Sequence, residues 1–201
     1  MERLGVMGGT FDPIHVGHVL LALWARERLP LDRVLFVPAA DPPHKETRPD
    51  MAPAADRWVM VERAIAGFPG FAASRLELDR PGKSYTVETL RTLRTEYPDS
   101  RLYLVIGEDN VAQLPSWHDP RTILELCTVV AGTRASAGLA GDTELARQVI
   151  LLGSPVFEVS STEVRRRLAA GKPVRYLVPD AVLDYIAARG LYGCKGSLDA
   201  G

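Results

Sequence analysis

Only two cysteines occur in the 201 residues, Cys127 and Cys194, far apart along the chain. That excludes a disulfide scaffold, and with no signal peptide at the start it predicts a reducing, cytoplasmic setting. The four histidines are too few and too dispersed for a zinc centre. A metal held by His15 and His18 would need further nitrogen or sulfur ligands that the neighbouring sequence does not supply, so no protein metal site is expected. No apolar run is long enough to span a bilayer, so no membrane association is expected. An excess of charge is missing too, with 24 basic residues against 25 acidic ones. This argues against a protein that coats nucleic acid or a membrane surface and for small partners. There is no internal repeat, and no serine or cysteine stands beside a base in the manner of an acyl-transfer nucleophile. The length suits one domain, able to bury roughly two thirds of its unfolded surface.

What the chain does have is the stretch Gly8-Gly9-Thr10-Phe11-Asp12-Pro13-Ile14-His15-Val16-Gly17-His18. A short apolar run, residues 4–7, precedes it. Val16, Val19, Leu20, Leu23 and Trp24 follow at the spacing of one buried helix face. The glycines and histidines are thereby placed on a strand-to-helix turn, where an open α/β sheet binds ligands and a helix start offers free N–H groups to an anion such as phosphate. Gly8 and Gly9 allow close backbone approach, Pro13 stiffens the turn, and His15 and His18 leave the same side of the first helical turn. No lysine followed by serine or threonine completes a Walker loop, and the glycine spacing is not that of a dinucleotide fingerprint.

Strands and helices are expected to alternate along the rest of the chain. Strands are predicted over 33–39, 71–78, 101–106, 128–131, 149–152 and 156–159. Between them lie a helix capped by Asp56 with Val59, Met60, Ala64 and Phe68 inward, and a helix capped by Ser84 with Val87, Leu90, Leu93 and Tyr97 inward. Further helices are expected before Leu114, around 123–127, around 143–148, after Ser160 and from Asp180. Residues 40–53, with four prolines, read as a binding loop, and 134–141 as a surface loop. Ser160 and Glu163 have capping-box spacing, with Val164 and Leu168 turned inward. This alternation predicts a Rossmann-like, doubly wound α/β fold with a mainly parallel sheet and helices on both faces. A single domain over 1–192 would be followed by a patternless, disordered end over 193–201.

The opening motif resembles the signature of the nucleotidylyltransferase superfamily. Four further stretches resemble one of its families, the bacterial nicotinate-nucleotide adenylyltransferases. These are Asp41-Pro42-Pro43-His44-Lys45, Lys83-Ser84-Tyr85-Thr86-Val87-Glu88-Thr89-Leu90, Ile106-Gly107-Glu108-Asp109 running on to Trp117-His118, and Val159-Ser160-Ser161-Thr162-Glu163-Val164-Arg165. Glu108 departs from the pattern, which usually has a small residue there. The resemblance implies transfer of AMP from ATP to nicotinate mononucleotide, giving deamido-NAD and pyrophosphate, with Mg²⁺ bound alongside ATP. It implies His15, His18 and Lys45 as catalytic residues. ATP would be held by Gly8, Gly9, Thr10, Phe11, His15, His18, Gly107, Asp109, Ser161, Thr162 and Arg165, and nicotinate mononucleotide by Lys45, Tyr85, Thr86 and Trp117.

The residues agree with that chemistry. A nucleotidyl transfer needs an ionised phosphate held in line with the α-phosphorus, so positioning and charge stabilisation suffice without a covalent intermediate. Donors stand at the predicted strand ends: the Gly9 and Thr10 amides, His15, His18, Lys45 and Arg165. The N–H groups of Tyr85 and Thr86 at a helix start suit a carboxylate, and Trp117 suits stacking on a pyridine ring or covering a core edge. Asp109 would cap its helix, hold a ribose hydroxyl or order Lys45. Arg166 and Arg167 are expected to be solvated. The alternatives are a nicotinamide-mononucleotide or pantetheine-phosphate adenylyltransferase and, from another class, a non-catalytic nucleotide-sensing module. Homo-oligomerisation is left open.

Overall fold

β-Branched and aromatic side chains build the sheet of the computed structural model, which describes residues 1–43, 50–132, 143–153 and 158–194. Its strands are β1 (Arg3–Gly9), β2 (Arg33–Pro38), β3 (Phe71–Ala73), β4 (Arg101–Gly107), β5 (Thr128–Gly132) and β6 (Ile150–Leu151). They lie in the order β3-β2-β1-β4-β5-β6 with every pairing parallel. This is a doubly wound sheet whose order reverses between β1 and β4, and ligands bind at the carboxyl side of such a reversal.

Period-2 alternation sends successive strand residues to opposite faces. Met7, Val34, Phe36, Tyr103 and Val105 enter one core cluster, with residues of α1 (Val16–Arg28), α2 (Ala54–Ile65), α6 (Ser161–Ala169) and α7 (Asp180–Arg189). Leu4, Val6, Leu35, Val37, Leu102, Leu104 and Ile106 enter the other, with α3 (Thr86–Glu96), α4 (Glu108–Val111) and α5 (Pro120–Leu126). Among the described residues no helix is long and apolar enough to cross a membrane.

Several local expectations are corrected. The buried residues of α1 are Ala22 and Ala25, not Val16, Leu20, Leu23 and Trp24, which are half-buried. Small side chains let a helix lie close on a sheet, and that closeness outweighs the larger apolar positions on its flank. Pro53, not Asp56, precedes α2, whose inward side is Arg57, Met60, Val61 and Ile65. Asp56 instead accepts hydrogen bonds from the Tyr185 hydroxyl and Arg189 Nε, tying α2 to α7. β3 stops at Ala73 because the chain turns over residues 76–78 to bury Glu77.

The helix expected around 143–148 is a single 3₁₀ turn, Ala146–Gln148, and β6 is shorter than predicted. Glu158 and Val159 are not in a strand. Gly193 and Cys194, expected to belong to the patternless end, are placed in the fold. Leu191–Gly193 forms a 3₁₀ turn, and Cys194 is buried in the first cluster. Residues 44–49, 133–142, 154–157 and 195–201, which include Lys45 and the loop expected over 134–141, lie outside the described residues.

Candidate active site

At the carboxyl ends of β1 and β4 opens a cleft of about 1130 Å³. It is lined by the motif residues Gly8, Gly9, Thr10, Phe11, His15 and His18, by Gly107 and Asp109 after β4, and by Ser161, Thr162 and Arg165 of α6. Tyr85, Thr86 and Trp117 line its other part. One cavity therefore gathers the candidate residues of four separate motifs; Lys45 lies outside the described residues.

The motif turn holds two stacked imidazoles. His15 is the N-cap of α1, and its ring lies 3.7 Å from that of His18, inclined by 27°. The His15 N–H donates to His18 Nδ1 at 3.2 Å. With Nδ1 accepting, the proton of a neutral His18 ring sits on Nε2, which makes that end of the ring a donor. Burial lowers the His15 pKa to about 4, so this ring is neutral near pH 7. Gly17 makes room for it: a Cβ there would stand 3.1 Å from the His15 ring.

Phe11 has a left-handed backbone (φ 49°), and its buried ring meets His18 edge-on at 5.1 Å. Its side chain supports the histidine and also lines the cleft. Gly9 is required for that packing, since a Cβ there would lie 3.1 Å from the Phe11 ring, whereas the corresponding space at Gly8 is open. Packing thus gives Gly9 a second reason to be glycine, beside the ligand approach expected of both. Nor is the start of α1 wholly open, because the Val16 N–H donates to the Leu177 carbonyl at 2.9 Å.

Buried charges brace the turn from behind. Asp12, 2% exposed, accepts from the Ala52 N–H at 3.0 Å and the Tyr192 hydroxyl at 2.7 Å. Arg165 is buried as well. Its Nη1 donates to the Asp12 carbonyl and lies 3.5 Å from the Asp12 carboxylate, its Nε lies 3.5 Å from Asp50, and its Nη2 donates to Thr162 Oγ1. The guanidinium expected to serve only a ligand thus also neutralises the turn, since a buried Asp12 requires a cation nearby. Ser160 caps α6 as expected, accepting from the Glu163 N–H at 3.2 Å. Glu163 does not complete the box; its carboxylate pairs with Arg166 at 2.7 Å. Ser161 donates to the Pro13 carbonyl at 2.9 Å, joining α6 to the motif.

On the far side, Tyr85, not Ser84, is the N-cap of α3. The Tyr85 N–H, expected to be free, donates to the Lys83 carbonyl at 3.0 Å. Helix geometry leaves the N–H groups of Thr86 and Val87 without intrahelical acceptors. The Tyr85 ring lies 4.3 Å from that of His118, a contact not anticipated from the chain. Trp117 is half-buried against the second core cluster and still borders the cleft. Exposed Asp109 accepts from Asn110 at 3.1 Å on the short helix α4, and Gly107, not Asp109, caps that helix. Glu77 and Arg57 are the buried charges that sequence reasoning missed. Glu77 borders the cleft, accepts from Thr89 Oγ1, and burial raises its pKa against hydrogen bonds from Thr89 and Ser84. Their surroundings come from residues distant in sequence, so no local signal marked them.

The cytidylyltransferase-like family model matches residues 6–167. A relative from Thermus thermophilus, named "Probable nicotinate-nucleotide adenylyltransferase", is 48% identical over 190 residues, covering 94% of this chain and 99% of its own. One from Thermomicrobium roseum with the same name is 44% identical, covering 96% of this chain and 92% of its own. Among solved structures, the Plasmodium falciparum nicotinic acid mononucleotide adenylyltransferase complexed with APC superposes with a TM-score of 0.78 at 18% identity, over 99% of this chain and 100% of that one. The same enzyme complexed with NaAD gives 0.76, likewise at 18% identity over 99% and 100%. These two share the fold. The relatives match at far higher identity from end to end, and by that measure the chain belongs to the nicotinate-nucleotide adenylyltransferase family.

Proposed function

We propose that this protein transfers AMP from ATP to nicotinate mononucleotide. A phosphate oxygen of the mononucleotide attacks the α-phosphorus of ATP, the bond from that phosphorus to the bridging oxygen breaks, and pyrophosphate leaves, giving deamido-NAD. The observation that carries the reading is that one cleft holds both a phosphate-facing turn with paired imidazoles and, opposite it, a helix start bordered by a tryptophan.

In this reading the Gly8 to Thr10 backbone and His15 flank the triphosphate, and the Nε2–H of His18 meets the α-phosphate. Arg165, with Ser161 and Thr162, faces the β- and γ-phosphates, and Asp109 accepts from a ribose hydroxyl. Lys45 is assigned to substrate phosphate by its place in the family's motif. The nicotinate ring stacks on Trp117 beside Tyr85, with its carboxylate at the Thr86 and Val87 N–H groups and the Thr86 hydroxyl. Among the described residues no group of three or more His, Cys, Asp or Glu could hold a metal ion. The phosphate-facing turn presents N–H donors, which suits a nucleotide whose outer phosphate oxygens carry Mg²⁺. When bound, the ion offsets negative charge on the leaving pyrophosphate.

Selectivity for acid over amide follows from the helix start. An amide NH₂ there would meet N–H groups donor to donor, at a cost of about 1–3 kcal/mol for each group left unsatisfied. Each 1.4 kcal/mol is about tenfold in preference. Proline is well accommodated at the first position of a helix, and Tyr85 already has the extended conformation that proline demands of its predecessor (φ −77°, ψ 127°). Thr86→Pro therefore deletes one donor while keeping α3, and Thr86→Val deletes only the hydroxyl. The test compares pyrophosphate release from ATP with nicotinate mononucleotide, its amide and pantetheine phosphate. Preference for the acid, eroded in Thr86→Pro, is the expected result; equal use of acid and amide by the wild type would overturn the assignment.

A further inference from the structure

As the chain leaves β2 it runs between two anchors. On one side is Arg57, 1% exposed, whose Nη1 donates to the carbonyls of Thr10 (2.7 Å) and Ala39 (2.6 Å). Its Nη2 donates to Ala40 (3.3 Å) and its Nε to Ala52 (3.1 Å). On the other side Ser84 Oγ accepts from the N–H groups of Ala40 (2.9 Å) and Asp41 (3.3 Å), while the Ser84 N–H donates to the Asp41 carbonyl (2.9 Å). The Ser84 hydroxyl also favours the charged form of Glu77 against the burial that raises its pKa. The two accepted bonds occupy both lone pairs of the Ser84 hydroxyl. Ala40 is the shared link, with its N–H on Ser84 and its carbonyl on Arg57.

We propose that this continuous chain, Ser84 to Ala40 to Arg57 to Thr10, sets the distance between the acceptor subsite at the start of α3 and the phosphate turn at the end of β1. Ser84 and Arg57 are then positioning residues for the transfer. The proposal rests on the two-substrate reading above. Its physical motive is that in-line attack requires the reacting atoms within roughly 3–3.5 Å, and the two substrates sit on different elements. A simple core filler would be cheaper as an apolar residue, because burying a cation costs desolvation. That cost is visible in Arg57, whose pKa burial lowers, the charge of Asp12 opposing the shift. All four hydrogen bonds of this guanidinium end on carbonyls of the motif turn and of the segment leaving and re-entering beside it. Ser84 likewise spends its hydroxyl on the β2 exit and not on capping α3.

The experiment measures ATP and nicotinate mononucleotide binding separately by calorimetry, and then the single-turnover rate with both saturating, for wild type, Ser84→Ala, Glu77→Gln and Arg57→Lys. Unchanged binding with a rate lower by about tenfold or more in Ser84→Ala is expected, since a 1 Å misplacement can cost on the order of 10²-fold. Glu77→Gln, which keeps the hydroxyl but alters its partner, should show the same pattern more weakly, and it replaces Ser84→Ala if that variant fails to fold. The Ser84→Ala and Arg57→Lys losses should be non-additive in rate, as for members of one network. A folded variant with the wild-type saturated rate, or a rate loss explained wholly by weaker binding of one substrate, overturns the proposal. A wild-type protein that makes no deamido-NAD would instead overturn the reading beneath it.

Discussion

The His15 backbone N–H and His18 Nδ1 are hydrogen-bonded at 3.2 Å, so the orientation of the second imidazole is set by the backbone of the first. His18 therefore has two separable jobs. Asparagine can replace Nδ1 as the acceptor, and glutamine can replace Nε2 as the donor to the substrate. His18→Asn is expected to keep thermal stability close to wild type and lose turnover by about 10²–10³, the usual effect of removing one preorganised donor. His18→Gln should retain more turnover than His18→Asn. Calorimetric melting with steady-state rates checks both, and the reverse ranking would remove Nε2 from the reaction.

His15 makes stability depend on pH. Its folded pKa, about 4, lies below its usual 6.5 because burial penalises the cation. The unfolded chain therefore binds the proton more readily between these values, and stability rises with pH across that window. The contribution is present above about 6.5 and is lost as pH falls toward 4, on the order of 3 kcal/mol in all. Denaturant melts of wild type and His15→Gln from pH 7 to 4 should show a steeper decline in the wild type. Parallel curves would refute the assignment.

Gly17→Ala sets two effects against each other. Alanine in place of glycine inside a helix is worth about 1 kcal/mol of stability, while the new Cβ would sit 3.1 Å from the His15 ring. Net stability should stay within about 1 kcal/mol of wild type. Turnover should fall roughly tenfold or more, because a displaced His15 carries the stacked His18 with it. A variant as active as wild type would mean that the ring pair has slack.

Arg165 and Arg166 are adjacent in sequence and opposite in circumstance. The Arg165 side chain is 8% exposed and faces Asp12, whereas that of Arg166 is 61% exposed and pairs with Glu163. Arg165→Ala should lower both ATP affinity and stability, the latter by about 3–5 kcal/mol as for a broken buried pair. Arg166→Ala should leave both close to wild type. Similar ATP affinities in the two variants would exclude Arg165 from the phosphate site.

Much of this was legible because some signals are local. β4 shows a run of large apolar residues ending at Gly107, α3 shows Val87, Leu90 and Leu93 at helical spacing, and the motif turn shows glycine, proline and histidine together. Ser160 announced its cap by Glu163 three positions on. What stayed hidden was set by partners far along the chain. Ser84 resembles a cap, yet its hydroxyl is claimed by Ala40 and Asp41. Arg57 in a helix resembles a surface residue until carbonyls converge on it from three segments. Ala22 and Ala25 carry too little apolar signal to outrank Leu20 and Leu23, although contact with the sheet selects the smaller pair.

The hydrogen bond between Tyr192 and Asp12 joins the two ends of the described chain, 180 positions apart. A ribosome makes Asp12 well before Tyr192, so the carboxylate behind the phosphate turn waits through the synthesis of the 180 positions between them for one of its partners. The sheet can assemble as strands emerge, but the turn is not fully braced until the 3₁₀ turn after α7 has docked. A nascent chain halted after α6 would hold the motif in sequence without this brace on it.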